Sequence, residues 1–75
     1  MMEEKIKSVV LATLRIDEGT YSEDLAAGDI PEWDSLRHVN LLMAVERELK
    51  ISFDIGDSIE IETVGDLIDT AKRYA

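Results

Sequence analysis

Apolar residues recur at helical spacing in three separate segments of this chain, and this periodicity restricts the fold more than any other feature does. The first segment covers residues 3 to about 16, and its apolar positions are Ile6, Val9, Val10 and Leu14. Spacings of three and four residues place such side chains on one face of an α-helix. Acidic residues at the start and Arg15 near the end suit the helix dipole. The segment is therefore predicted to be an amphipathic helix.

The second segment, residues 35–50, carries more apolar residues than a single core-facing stripe needs. Asp34, immediately before it, is a favourable N-cap residue. The positions expected to face the core are Leu42, Val45 and Leu49. The positions expected on a neighbouring, more exposed face are Leu36, Val39 and Met43. A helix with two apolar faces often contacts something besides its own core, although simple packing in a small bundle predicts the same pattern.

The third segment is predicted to be the last helix. Thr63 followed by Asp66 resembles a capping box, and Lys72 and Arg73 fall in the final turn, where cations suit the dipole. Its apolar positions are Val64, Leu67, Ile68 and Ala71. Residues 51–53 are expected to be extended, residues 55–57 to form a turn, and residues 57–61 to form a short helical turn. The predicted fold is all-α, a small four-helix bundle of three longer helices and one short helix.

A long first loop is predicted between the first two helices. Residues 17–34 contain seven acidic residues and no basic one, and glycine and proline interrupt the segment. The apolar residues expected to hold it against the core are Tyr21, Leu25, Ile30 and Trp33. A loop of this length in a small domain is usually functional or well packed, and this one leads directly into Ser35.

The length of 75 residues predicts a single domain over residues 1–75, acting as a monomer. A chain of this size buries only about 60% of its unfolded surface. Because it has no cysteine, neither a disulfide nor a thiolate metal site adds to that core, and little room remains for a deep active site. No apolar run is long enough to span a bilayer, and the first residues do not resemble a secretory signal. We therefore expect a cytoplasmic location.

The formal net charge of −9 argues against binding to nucleic acids or anionic membranes, because both require a basic face. The expected partners are proteins with basic patches, which an acidic surface attracts over a distance. An acidic surface that only maintains solubility is an equally simple explanation.

Neither catalysis nor a dedicated metal site is predicted. Asp34, Ser35 and His38 have the residue types of a hydrolase triad, but they are neighbours on one helix and no oxyanion hole is evident. His38 is expected to face solvent or a partner. Residues 54–62 are rich in carboxylates, yet they lack the spacing of a calcium loop, so only loose divalent-cation binding is expected.

Covalent modification of Ser35 is a further possibility, because an anionic group there would lie beside the free N–H groups of a helix start. An ordinary helix-start serine, which is common, explains the same residue. The residues alone leave both interpretations open.

The chain resembles the acyl carrier protein family. The similar residues are Trp33, Asp34, Ser35, Leu36, Val39, residues 41–46 and residues 51–53. The resemblance extends from the first helix to residues 63–67 and so covers essentially the whole chain. It implies that Ser35 carries 4′-phosphopantetheine, which a phosphopantetheinyl transferase attaches from coenzyme A. The protein would then be a non-catalytic carrier of acyl thioesters.

The resemblance also implies that the helix after Ser35 binds acyl-loading and acyl-transferring enzymes. The expected partner-contacting residues are Trp33, Asp34, Leu36, Arg37, Val39, Met43, Glu46 and Glu48. Carriers of primary fatty-acid synthesis typically have acids where this chain has Arg37 and Asn40. A specialised fatty-acid, polyketide or related pathway is therefore favoured. An aminoacyl or peptidyl carrier, or an unmodified helical interaction domain, are the alternatives.

Overall fold

The computed structural model describes residues 2–74 and contains four helices in this part of the chain. Helix α1 spans Met2–Leu14, α2 spans Ser35–Leu49, α3 spans Ile55–Glu60 and α4 spans Val64–Tyr74. The three longer helices and the short one confirm the predicted all-α fold.

Helix α1 ends earlier than predicted. Arg15 has a φ of 57°, and the Ile16 N–H donates to the Leu11 carbonyl at 3.2 Å. This is the hydrogen bond of a Schellman motif, in which the left-handed residue stops the helix. The prediction of helix as far as residue 16 is therefore wrong by two residues. Of the four predicted apolar positions of α1, Ile6, Val10 and Leu14 are buried and Val9 packs partly buried against the core.

Helix α2 begins and ends as the sequence predicts, within one residue. Asp34 is its N-cap, and Lys50, with a φ of 58°, is its left-handed C-cap. The core-facing positions differ, however. Leu41 and Val45 are fully buried, whereas Leu42 and Leu49 are only partly buried. The prediction therefore missed Leu41, which with Val45 forms the centre of the buried face, while Leu42 and Leu49 pack at its margin.

The loop between α1 and α2 is held by backbone pairing as well as by its apolar side chains. Ala26 forms an isolated antiparallel bridge with Thr63. On either side of it, the Ala27 N–H donates to the Glu62 carbonyl at 2.9 Å and the Val64 N–H donates to the Leu25 carbonyl at 3.0 Å. Leu25 and Trp33 are buried, and Tyr21 and Ile30 pack partly buried against the core, as predicted. The loop is thus fixed to the start of α4.

The short helix α3 begins two residues earlier than predicted, so the expected turn at residues 55–57 is helical instead. Its start is fixed by Tyr74 at the end of α4. The Tyr74 hydroxyl accepts from the Asp54 N–H at 2.8 Å and donates to the Asp57 carboxylate at 2.6 Å. The predicted capping box of α4 is present, because the Asp66 N–H donates to the Thr63 hydroxyl at 3.0 Å and the Thr63 N–H donates to the Asp66 carboxylate at 3.2 Å.

Candidate functional site

Ser35 is the first residue of α2 and its side chain is exposed. The helix is capped by the preceding residue. The Asp34 carboxylate accepts a hydrogen bond from the Arg37 N–H at 2.8 Å, and its carbonyl accepts from the His38 N–H at 2.9 Å. Because Asp34 performs the capping that a helix-start serine commonly performs, the Ser35 hydroxyl has no such role. Within residues 2–74 it forms no hydrogen bond to the protein.

Trp33 lies beneath this serine, in the core. Only 1% of its side chain is exposed. Its backbone carbonyl accepts from the Gly28 N–H at 3.1 Å, which draws the loop against the start of α2. The expectation that Trp33 contacts partners directly therefore needs correction, because a buried indole has no surface to offer them. Its contribution to the site is support from within the core.

His38 forms a pair with Trp33. The indole Nε1–H donates to His38 Nδ1 at 3.0 Å, and the ring centroids are 5.9 Å apart with an interplanar angle of 28°. Burial lowers the pKa of His38 below its ordinary value of 6.5, because desolvation disfavours the charged imidazolium. The expectation of a solvent-facing or partner-facing histidine is only partly met, because Nδ1 is bound to the core while Nε2 is not sealed from solvent. His38 is half-buried and bound to the core.

The arrangement does not support hydrolysis by a serine triad. A triad requires the histidine to accept the serine proton and an acid to hold the histidine. Here His38 Nδ1 is bound to Trp33, and the Asp34 carboxylate is bound to the Arg37 N–H. Neither contact connects to Ser35 in the described residues.

An open cleft of about 530 Å³ adjoins Ser35. Its lining residues are Ala27, Gly28, Trp33, Asp34, Ser35, His38 and Val39. One wall comes from the first loop and the other from the first turn of α2. Gly28 turns the loop at this point with a φ of 93°, a conformation that residues with a Cβ rarely adopt. The cleft is lined mainly by small or apolar groups and contains Ser35 at its edge.

The exposed apolar face of α2 is present as predicted. Leu36, Val39 and Met43 are 71%, 53% and 52% exposed, and their spacing of three and four residues places them in one row. We call these three residues the α2 stripe. Two further apolar side chains, Ile55 and Ile59 of α3, are also exposed. Neither was predicted from the sequence as an exposed apolar residue, although Ile59 lies within the predicted helical turn of residues 57–61 and only Ile55 lies before it.

The charged residues expected to contact partners differ in their availability. The Glu46 carboxylate accepts the Phe53 N–H at 2.7 Å, so it holds the chain after α2. Arg37 donates from Nη1 to the Glu32 carbonyl at 3.3 Å and is half-buried. Glu48 is exposed, but its position on the helix is far around from the α2 stripe. Of the two acidic side chains of α2 expected to contact partners, Glu46 is therefore held by the fold and Glu48 lies away from the stripe.

Two negative findings concern the described residues. No group of three or more histidine or acidic side chains in residues 2–74 is placed to hold a metal ion. None of the four helices found there is long and apolar enough to cross a membrane.

No family model matches the chain. A solved structure from Mycobacterium tuberculosis, assigned as an acyl carrier protein, is 30% identical, with a TM-score of 0.85 over 97% of each chain. The solution structure of a holo acyl carrier protein from Geobacter metallireducens is 29% identical, with a TM-score of 0.84 over 97% of this chain and 84% of the other.

Proposed function

Because the chain belongs to the acyl carrier protein family, we propose that it carries acyl groups on a 4′-phosphopantetheine arm attached to the Ser35 hydroxyl. The observation that carries this proposal is that the Ser35 hydroxyl is exposed and is not used to cap the helix. Ser35 is exposed at the first position of α2, while Asp34 provides the helix cap. A modifying enzyme can therefore esterify the hydroxyl without removing any hydrogen bond on which the fold depends.

The residues around Ser35 fit such a group. A phosphodiester is an anion, and the free N–H groups at a helix start favour an anion there. The cleft beside Ser35 adds apolar surface from Ala27 and Val39, against which an alkyl segment can lie. When bound, the group supplies a terminal thiol that holds the acyl group as a thioester. The polypeptide supplies the attachment point and the surface that partner enzymes bind.

We further propose that the partners are a phosphopantetheinyl transferase and enzymes that load and transfer the acyl group. The net charge of −9 attracts proteins with basic patches and raises their association rates. The α2 stripe provides the apolar contact, since aromatic and aliphatic anchors carry most of the binding energy at such interfaces. Arg37 and Asn40, at positions where carriers of primary fatty-acid synthesis typically have acids, favour a specialised fatty-acid, polyketide or related pathway.

The proposal is tested by loading the purified apo protein. We expect incubation with coenzyme A, Mg²⁺ and a broad-specificity phosphopantetheinyl transferase to add the mass of one phosphopantetheine. Fragmentation of the product should place that mass on the peptide containing Ser35, and a thiol reagent should then label the product once. An unchanged intact mass, or a modification mapped to another residue, would reject the proposed carrier function.

Negative charge in the α2 stripe should impair partner binding more than folding. We expect Val39→Asp and Met43→Glu each to lower kcat/KM of the transferase for the apo protein by about tenfold, because a charge at a buried contact costs more than about 1.4 kcal/mol of binding. Their Tm should change little, since exposed substitutions usually cost within about 0.5 kcal/mol. Enzyme kinetics and thermal denaturation measure the two effects separately.

The matched control is Ser8→Asp, which adds the same charge at an exposed position of α1, away from the stripe. We expect it to be loaded at nearly the wild-type rate. Equal losses in all three variants would indicate a general charge effect. Unfolding of Val39→Asp or Met43→Glu would contradict their exposed placement.

A further inference from the structure

The imidazole of His38 has one nitrogen committed to the fold and one available. An indole N–H can only donate, so His38 Nδ1, which accepts it at 3.0 Å, must carry a lone pair. The proton of the neutral ring is then on Nε2. No acceptor in residues 2–74 takes this Nε2 proton, and the atom is not sealed from solvent. The Trp33 contact thus fixes both the tautomer and the position of a free N–H donor.

His38 belongs to the lining of the cleft beside Ser35. Three polar side chains line the cleft, and they differ in what they can still bind. One oxygen of the Asp34 carboxylate accepts the Arg37 N–H, and because a carboxylate only accepts hydrogen bonds it has no donor for an anion. The Ser35 hydroxyl and the His38 Nε2–H remain uncommitted. Ser35 and His38 are three residues apart on α2, a separation that places their Cβ atoms about 5–6 Å apart on the helix surface.

We propose that this cleft holds the first part of the phosphopantetheine arm and that the His38 Nε2–H donates a hydrogen bond to an unesterified oxygen of its phosphodiester. The inference rests on the proposed attachment to Ser35. A phosphate oxygen linked through Ser35 Oγ lies within reach of a donor one helical turn away. The next unit of the arm carries a carbon with two methyl groups, and the apolar wall formed by Ala27 and Val39 suits it. His38 is therefore a positioning residue and takes no part in chemistry.

The geometry explains why a histidine and a tryptophan occur together here. A lone side chain at position 38 would be free to rotate, and the ordering of the arm would then cost additional rotamer entropy. The hydrogen bond from the buried Trp33 fixes the imidazole before the arm is attached. The root of the arm then leaves Ser35 toward the first loop and contacts only Val39 of the α2 stripe, so Leu36 and Met43 remain open for a partner.

Two substitutions separate the nitrogens of His38. In His38→Asn the amide oxygen lies near the place of Nδ1, so it can still accept the Trp33 N–H, but no donor reaches the place of Nε2. In His38→Gln the longer side chain places an amide N–H near Nε2. Both variants should be loaded with the arm to completion, as judged by intact mass, because neither changes Ser35.

The readout is the nuclear magnetic resonance of the loaded proteins. In the wild-type holo protein we expect nuclear Overhauser contacts from the two arm methyl groups to Val39 and Ala27, and a His38 Nε2 resonance that shifts between the apo and holo forms. In His38→Asn these contacts should weaken by roughly threefold or more, the loss expected when a charge-assisted hydrogen bond is removed. His38→Gln should restore them in part. The relaxation rates of the phosphorus nucleus should rank the three proteins in the same way, with the arm least mobile in the wild type and most mobile in His38→Asn.

The outcomes distinguish this inference from the proposed function. If Ser35 is loaded but the arm methyl groups show no contact with the cleft, or if His38→Asn leaves the contacts unchanged, the inference is overturned while the carrier function stands. If Ser35 takes no arm, both fail. If His38→Asn both lowers the Tm strongly and weakens the contacts, and His38→Gln restores neither the Tm nor the contacts, the role of His38 is structural. The inference is then overturned.

Discussion

Ser35→Ala is expected to abolish attachment of phosphopantetheine while leaving the fold intact. The acceptor oxygen is removed, so no mass should be gained with coenzyme A, Mg²⁺ and the transferase under conditions that convert the wild type completely. The fold should survive because Asp34 caps α2 and the Ser35 hydroxyl forms no hydrogen bond to residues 2–74. The expected cost is within about 0.5 kcal/mol, a Tm change of about 2–4 °C for a domain of this size.

Ser8→Ala is the matched control, because Ser8 is another exposed serine in a helix. It should be loaded like the wild type. Loading of Ser35→Ala to the wild-type extent would move the attachment to another residue. A fall in Tm far beyond the expected range would show instead that the hydroxyl is a structural group, the ordinary helix-start role that the sequence alone left open.

The parts of the fold that the sequence predicts are those determined by contacts close along the chain. The stripe of α1 and the capping box of α4 depend on residues three and four apart, and both are present. Helix α3 has no buried residue, so it lacks the apolar signal by which helices are recognised. Its start depends on Tyr74, which is 17–20 residues away from the groups it binds. No local pattern reveals such a contact.

The core of α2 shows a second limit. Leu41 and Leu42 are adjacent and equally apolar, and periodicity alone does not fix which of them lies at the centre of the buried face. The packing of α2 against the other helices selects Leu41, which is fully buried, over Leu42. The exposed face of α2 was easier to predict. Leu36, Val39 and Met43 form a row on the side of the helix away from Val45, so they cannot face the core at the same time as Val45 does.

The candidate site was predictable in position but not in its supporting contacts. The Asp34–Ser35 pair at a helix start is a local signal, and the structure has it as expected. The pairing of Trp33 with His38 is also short in sequence, yet it requires the indole to turn into the core and the imidazole to follow it. Glu46 likewise appeared free to contact partners, although its carboxylate is bound to the Phe53 N–H seven residues later. Such hydrogen bonds depend on side-chain directions that residue types do not specify.

Trp33→Ala is expected to leave the domain largely unfolded at room temperature. Trp33 is almost completely buried, and truncation of a large buried aromatic residue costs about 3–5 kcal/mol. A core of this size rarely contributes more than about 3–5 kcal/mol in total. The substitution therefore removes most of the free energy of unfolding. It also removes the hydrogen bond to His38 and the packing that holds the first loop beside Ser35. Far-ultraviolet circular dichroism should show a large loss of helix, and loading of Ser35 should fall with it.

Trp33→Phe separates the packing role of Trp33 from its hydrogen bond. Phenylalanine retains much of the aromatic volume but cannot donate to His38 Nδ1, and loss of that bond is expected to cost about 1 kcal/mol. This variant should remain folded, with a Tm lowered by about 4–8 °C, and should still be loaded at Ser35. A Trp33→Ala protein that keeps its helix content and its cooperative melting would contradict the placement of the indole in the core. In that case Trp33 would have the exposed, partner-contacting role that the sequence first suggested, and its pairing with His38 could not fix the imidazole.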